Sequence, residues 1–350
     1  MSPDVRRYPQ RACYPHSVLG RLFRTSASAT IVGMEAPQLI SRRQALATGL
    51  SDKQLRRLCR TGQWHRLRAG RYLNSSGSGL GATDRHLLLT FATAETTSDA
   101  AITSHCSAAV LHGMSTWDIS LHRVHLTRNR INGGRLSKRV VVHSAQVEPD
   151  EITFVEGIGV TTPARTVIDI ARSEGFEQSV ALGDSALRRG LTTTAELREH
   201  LRRARHRPGR RRAARVLDFL DGRSESVGES RSRIALHHCG IPEPEIQARV
   251  FSDSGVCVAR VDFLFPELGV IGEFEGRSEH SHALGGPRFP GRIADGKRRD
   301  EQLHALGWTV VRWTWDDLAA PSDLLQRIRT AARAGAQGRR SGYWTPTPRP

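Results

Sequence analysis

Four carboxylates in the second half of the chain carry the strongest chemical signal. Asp262 stands inside the apolar alternation of Val261, Phe263 and Phe265. A turn containing Pro266, Glu267 and Gly269 follows, and the next apolar segment, Val270 to Glu275, bears Glu273 and Glu275. Side chains on a strand repeat with period two, so Glu273 and Glu275 are expected on one face. Glu229 lies upstream, at the start of a helical stretch where the helix dipole favours an anion. Acids on neighbouring strands repel one another unless a positive group sits between them, and Mg²⁺ or Mn²⁺ prefers such oxygen ligands. The expected metal set is Asp262, Glu273 and Glu275.

The elements that must position these residues are legible in outline. A helix runs from Arg231 to Cys239 and is stopped by Gly240-Ile241-Pro242. A strand from about Glu245 to Val250 precedes the two acidic strands. A basic helix from Lys297 to Leu306 ends at Gly307, and Trp308 to Trp313 forms a further strand before a last helix. With these residues in this order, the segment from about Ser224 to Ala334 resembles the restriction-endonuclease-like domains related to very-short-patch-repair (Vsr) nucleases. The resemblance implies a PD-(D/E)XK-type site in which Glu229, Asp262 and Glu273 bind Mg²⁺ and cut phosphodiesters. That family's last place is usually Lys, and here it is Glu275. Lys297 on the following helix can return an ammonium from another position, and His280 and His282 can act as bases near neutral pH.

A second constellation lies near the other end. Ser41 caps a short helix through Ala47, Gly49 breaks it, and Ser51 or Asp52 caps a second helix to about Arg60. A hairpin from Trp64 to Leu73 follows. This pattern predicts a winged helix-turn-helix. Lys53, Arg56, Arg57 and Arg60 on its second helix and Arg66, Arg68 and Arg71 on its wing are expected to bind DNA. Ser41-Arg42-Arg43-Gln44-Ala45 and Leu67-Arg68-Ala69-Gly70-Arg71-Tyr72 resemble the N-terminal domain of AbiEi-type antitoxins from type IV toxin–antitoxin systems. In that family this domain binds its own promoter.

Between the two lies a region read as an interaction domain. Thr83 caps a helix through Phe91, Ile102 to Leu111 forms another, and Val124 to Leu126 and Val140 to His143 form strands around a turn at Asn132-Gly133-Gly134. Thr162-Pro163 opens a helix, and Phe176 to Arg188 and Thr192 to His200 form two more. His105 and His112, seven apart, share a helical face, and with no third ligand in view packing is expected rather than metal. Asp169 and Asp184 are expected at helix surfaces or caps. This region also resembles the middle of AbiEi-like actinobacterial proteins. Eight arginines between Arg202 and Arg215 lack intervening acids and suit a nucleic-acid backbone.

Composition bounds these readings. Lys plus Arg outnumber Asp plus Glu by 52 to 35, which favours a polyanionic partner. No apolar run reaches the roughly 18 residues of a spanning helix. The five cysteines form no C-x-x-C pair, which fits a reducing cytoplasm and no zinc site. The glycines of Asn74 to Gly81 lack the frame of a phosphate loop. The expected fold is an α+β multidomain chain. It comprises a basic arm (1–33), a winged helix (34–73), a linker (74–81), a mixed α/β middle region (82–221), a restriction-endonuclease-like α/β domain (222–334) and a disordered tail (335–350). Met34 is an alternative start. Two functions compete: a DNA-binding protein that cuts with Mg²⁺, and a non-catalytic transcriptional regulator or antitoxin with a cognate toxin or other protein partner. No membrane partner is expected.

Overall fold

A computed structural model describes residues 38–74, 80–97, 101–130, 133–276, 291–335 and 340–349, the side chains of 291–296 excepted. The arm at 1–33, most of the linker, His280 and His282 lie outside the described residues. The chain forms two compact units, one within residues 1–174 and 199–209, the other within 175–198 and 210–350. This division cuts across the 82–221 segment read from the sequence.

The first unit begins with β1 (Leu39–Ser41), α1 (Arg42–Ala47), α2 (Asp52–Arg60), β2 (His65–Arg68) and β3 (Arg71–Leu73). The strands form an antiparallel sheet in the order β1-β3-β2. Both helices start at capping boxes. The Ser41 and Ser51 hydroxyls accept from the backbone N–H of Gln44 and Gln54, whose side chains accept in return from the two serine N–H groups. Each box satisfies two donors that a helix start leaves unpaired, which fixes where the helices begin. Ala45, Leu55 and Tyr72 form the buried centre, with Trp64 packed beside them.

Helix α3 (Ala82–Ala94) follows Gly81, and no side chain caps it, so Thr83 does not play the expected part. Then come β4 (Ala101–Thr103), α4 (His105–Leu111), β5 (Val124–Arg128), β6 (Arg135–Leu136), β7 (Val140–Ser144), β8 (Ile152–Val155), β9 (Ile158–Thr161) and α5 (Pro163–Ser173). The stretch expected as one helix from Ile102 is therefore a strand and a helix. Ala101 to Thr103 bond into the sheet between β5 and β9. The sheet order is β6-β7-β5-β4-β9-β8. Strand β6 runs antiparallel to β7, and β5 and β7 lie side by side in parallel rather than as a hairpin; Asn132 of the expected turn lies outside the described residues. Leu87, Phe91, Val110, Leu111 and Val160 fill the core between helices and sheet.

The second unit contains α6 (Phe176–Arg188). Helix α7 (Thr194–Arg203) runs across the division, and α8 (Arg210–Phe219) and α9 (Val227–His238) return to the second unit. The chain continues as β10 (Glu245–Phe251), β11 (Cys257–Phe265), β12 (Val270–Phe274), α10 (Gly291–Ala305), β13 (Thr309–Trp313), α11 (Trp315–Ala319), α12 (Pro321–Gly335) and β14 (Tyr343–Thr345). Sheet order is β13-β12-β11-β10-β14, with β12 and β13 parallel and the other pairs antiparallel. The order helix, three strands, helix, strand is the one read from the sequence. The tail is not disordered over its described residues. Tyr343 stacks on Phe251 with ring centroids 4.9 Å apart, and β14 closes the free edge of β10.

One core contains Phe263, Phe265, Val270 and Trp313 with Leu236, Leu324 and Ile328 of α9 and α12. Another contains Val250, Val261, Leu264 and Ile271 with Leu303 of α10. A Cβ on Gly272 would run into the Trp313 ring, so only glycine lets that indole lie against β12. The two aspartates expected on surfaces are both buried. Asp169 binds Arg165 and Arg172, and Asp184 accepts from Arg233 Nη1 and the Ser230 hydroxyl, each at 2.8 Å. A carboxylate that has left water needs such partners.

Candidate functional site

Three of the four predicted carboxylates come together in the second unit. Ser226 caps α9, and this sets Glu229 on the first turn. Glu229 Oε2 accepts from the Glu225 N–H at 2.7 Å, and its Oε1 accepts from the Ser226 hydroxyl at 3.0 Å. Asp262, on the middle strand β11, accepts from the Phe274 N–H at 3.0 Å. Gln247 joins the two acids, its Nε2 donating to Glu229 Oε2 at 2.9 Å and to Asp262 Oδ1 at 3.2 Å. Gln247 has φ +56 inside β10, a left-handed conformation that is rare in a strand. Such strain is held by its surroundings, here including the Thr347 hydroxyl, which donates to the Gln247 carbonyl at 2.6 Å.

Glu273 completes the group from β12 and pairs with Arg299 of α10. Burial first, and then the neighbouring Asp262 charge, push Glu229 and Glu273 each up to about 7. Burial also raises Asp262 above its usual range. All three acids are thus harder to ionise in place than in water.

Glu275 does not join them. It lies past the end of β12, is exposed, and pairs with Arg312 Nε at 3.1 Å. Lys297 is exposed on α10, and the cation that reaches the acids is Arg299, two residues on and on another helix face. Gln247 and Arg299 escaped the sequence reading. Gln247 lies opposite Asp262, between the Ile246–Phe263 and Ala248–Val261 pairs of β10 and β11, a register that residue order alone does not give.

In the first unit Lys53, Arg56, Arg57 and Arg60 are exposed on α2, as is Arg66 on β2. Arg68 and Arg71 turn inward instead. Arg71 pairs with Glu95 at 2.9 Å, and Arg68 reaches toward the Ala92 carbonyl. The arginine run is also less bare than expected. Arg202 and Arg203 pair with Glu199, Arg203 pairs with Asp150 at 2.7 Å, and Arg207 donates to the Gln146 carbonyl at 2.8 Å.

A second cluster of ligating side chains went unforeseen. His112 points away from His105, its Nε2 lying 2.7 Å from the Thr161 carbonyl. His105 instead meets His125 of β5 and His143 of β7, and one nitrogen from each lies within 4.8 Å of the others. Thr127 pairs with His143 in the register, so His125 sits diagonally from His143 on the same face. The His143 Nε2 and His125 Nδ1 are 3.1 Å apart, and His105 stacks on His143 with centroids 3.8 Å apart. Burial, with repulsion among the rings, lowers His105 to about 3 and His125 to about 4.

Residues 100–219 match the family described as AbiEi antitoxin C-terminal domain. The chain is 30% identical over 224 residues to Uncharacterized protein MT2308 of Mycobacterium tuberculosis (strain CDC 1551 / Oshkosh), a match covering 63% of this chain and 78% of that one. The same values hold for Uncharacterized protein Rv2248 of Mycobacterium tuberculosis (strain ATCC 25618 / H37Rv). Among solved structures, the RV2827C protein from Mycobacterium tuberculosis gives a TM-score of 0.35 at 15% identity, over 51% of this chain and 71% of that chain, a likeness too slight to argue from. No helix among the described residues is long and apolar enough to cross a membrane.

Proposed function

Because the chain belongs to the same family as these mycobacterial proteins and carries an AbiEi antitoxin C-terminal domain match at residues 100–219, we propose that it is a DNA-binding regulator of the antitoxin type, with DNA and a cognate toxin as partners. The observation that carries the DNA reading is the row of exposed cations Lys53, Arg56, Arg57 and Arg60 on the capped helix α2. A short helix of this kind fits a major groove, and Arg66 on the adjoining hairpin can meet phosphates, as in a winged helix. Arg68 and Arg71, turned inward, serve the scaffold instead.

The test is a titration of duplex DNA containing the chain's own upstream sequence, repeated over a salt series. Replacing Arg56, Arg57 and Arg60 together by Ala is expected to weaken binding and to flatten the log–log salt slope by roughly 0.9 for each phosphate that is no longer neutralised. Equal affinity and slope for wild type and variant would remove α2 from the reading.

The carboxylate cluster favours a second reading, a Mg²⁺- or Mn²⁺-dependent phosphodiesterase of the restriction-endonuclease-like kind. Its support is the convergence of Glu229, Asp262 and Glu273, all oxygen donors and all raised by burial. The donor set suits a hard dication, with Asp262 and Glu273 as its holders and Glu229 beside them. When bound, the ion would acidify a water and stabilise charge on a leaving oxygen. Gln247 orients Glu229 and Asp262, and Arg299 offsets part of the charge on Glu273. Mn²⁺ is expected to raise the melting temperature of wild type by mass action, and Asp262→Ala to abolish both that shift and any nicking of plasmid DNA. DNA affinity through α2 should survive the substitution. A wild type with neither metal shift nor nicking would leave the cluster as a binding shell and the regulator reading alone.

A further inference from the structure

We propose that His105, His125 and His143 form a binding site for a transition-metal dication of the zinc class, with a fourth position open to water. Three imidazoles suit Zn²⁺, Co²⁺ or Ni²⁺ far better than the oxygen-seeking Mg²⁺. This site lies wholly in the first unit and is independent of the proposed function. Its geometry is close to that of a ligand set. Tetrahedral zinc with Zn–N bonds of about 2.0–2.1 Å holds its nitrogens about 3.3–3.4 Å apart. The His143 and His125 nitrogens are already 3.1 Å apart, and the third lies within 4.8 Å of them. Binding needs a small rotation that unstacks His143 from His105.

The surroundings are built to hold the rings. His105 has φ +50 at the first position of α4, a conformation that a non-glycine residue holds only when the surroundings impose it. That turn swings its ring toward the strands rather than along the helix face shared with His112. His105 Nδ1 lies 3.0 Å from the Ser104 Oγ, which in turn accepts from the Thr127 hydroxyl at 2.7 Å. Donation from Nδ1 to Ser104 leaves the Nε2 lone pair for a metal, the outer support that ligating histidines commonly have. The His125 backbone is fixed as well. Its N–H donates to the Ser107 Oγ at 2.9 Å, and Ser107 donates to His86 Nε2 because His86 Nδ1 must donate to the Leu121 carbonyl. The Asp169 carboxylate lies near enough to favour positive charge at His105 and His143.

The experiment is a Co²⁺ titration of the full chain after chelator treatment, followed in the visible spectrum. One equivalent with tetrahedral d–d absorption, displaced by Zn²⁺, is expected. His125→Ala and His143→Ala should each weaken binding by more than the roughly 10–100-fold that loss of a supporting partner costs. Exposed His65→Gln and the distant Asp262→Asn should leave the spectrum unchanged. Absence of a saturable one-equivalent spectrum in wild type would overturn the proposal, as would its persistence in both alanine variants. If those variants fail to fold, the wild type still decides. Zn²⁺ should protect His125 and His143 from diethyl pyrocarbonate as mapped by mass spectrometry, and unprotected rings would overturn the site.

Discussion

Two buried clusters, one in each unit, handle charge in opposite ways. In the first, buried charges are matched: Arg165 lies between Glu151 and Asp169, Arg172 takes the other Asp169 oxygen, and the histidines beside them are lowered toward the neutral form. In the second, Arg299 serves Glu273 and Asp262, Glu229 has only neutral donors, and all three are raised. One region is electrically complete and offers neutral nitrogen ligands. The other is short of positive charge and offers oxygen. The difference teaches that a buried cluster's appetite for a cation is set by what surrounds the ligands as much as by the ligands themselves.

The comparison breaks most forcefully at Arg165. Arg165→Ala leaves Glu151 and Asp169 buried with less compensation, and loss of one partner in such a pair costs roughly 3–5 kcal/mol. The first unit's urea midpoint should fall sharply, while any Mn²⁺ response of the second is retained. An unchanged midpoint would mean that the buried charges there are not what holds the unit together.

A smaller effect is expected at Gly272. Its added methyl would collide with Trp313 and crowd Phe263, and overpacking of this kind costs about 1–3 kcal/mol. Gly272→Ala should lower the second unit's thermal midpoint and disturb Glu273, the next residue, without touching cobalt binding in the first unit. Equal loss in both units would show that they do not unfold separately.

A pH-dependent effect sharpens the charge argument. Glu229 titrates at about 7 in the fold against an ordinary value of 4.5. The folded state therefore holds the extra proton between those values, so without divalent cation this group's contribution to stability is greatest below about 4.5 and declines as pH rises toward 7. Glu229→Gln should flatten that decline, visible as roughly 2–4 °C per kcal/mol of relief. A profile of the same slope in the variant would show that the raised acid is not what costs stability near neutrality.

Much of the carboxylate site is legible from the amino-acid order alone, because Glu229, Asp262 and Glu273 sit in a contiguous run of elements whose periods declare themselves. The phase of α10 is not. The run Lys297-Arg298-Arg299 puts a cation on several helix faces, so composition does not say that Arg299 is the one that turns inward. The histidine cluster is invisible for another reason. His125 and His143 meet through a parallel strand pair, whereas a turn motif at Gly133 argues for a hairpin. The left-handed backbone of His105 then undoes the helical spacing that links it to His112. Tail composition misleads as well: Gly, Pro and Arg mask the Tyr343-Trp344-Thr345 strand that pairs with β10.

That strand has a consequence for the order in which the protein is made. The Gln247 carbonyl is held by Thr347, a hundred residues further along the chain, and Gln247 in turn holds Glu229 and Asp262. The three clustered histidines of the first unit are all synthesised by residue 143. The acids, by contrast, wait in an unfinished sheet until residues 343–347 emerge from the ribosome and close the edge of β10. During synthesis, chains whose α2 already faces solvent thus coexist with an acidic cluster not yet assembled.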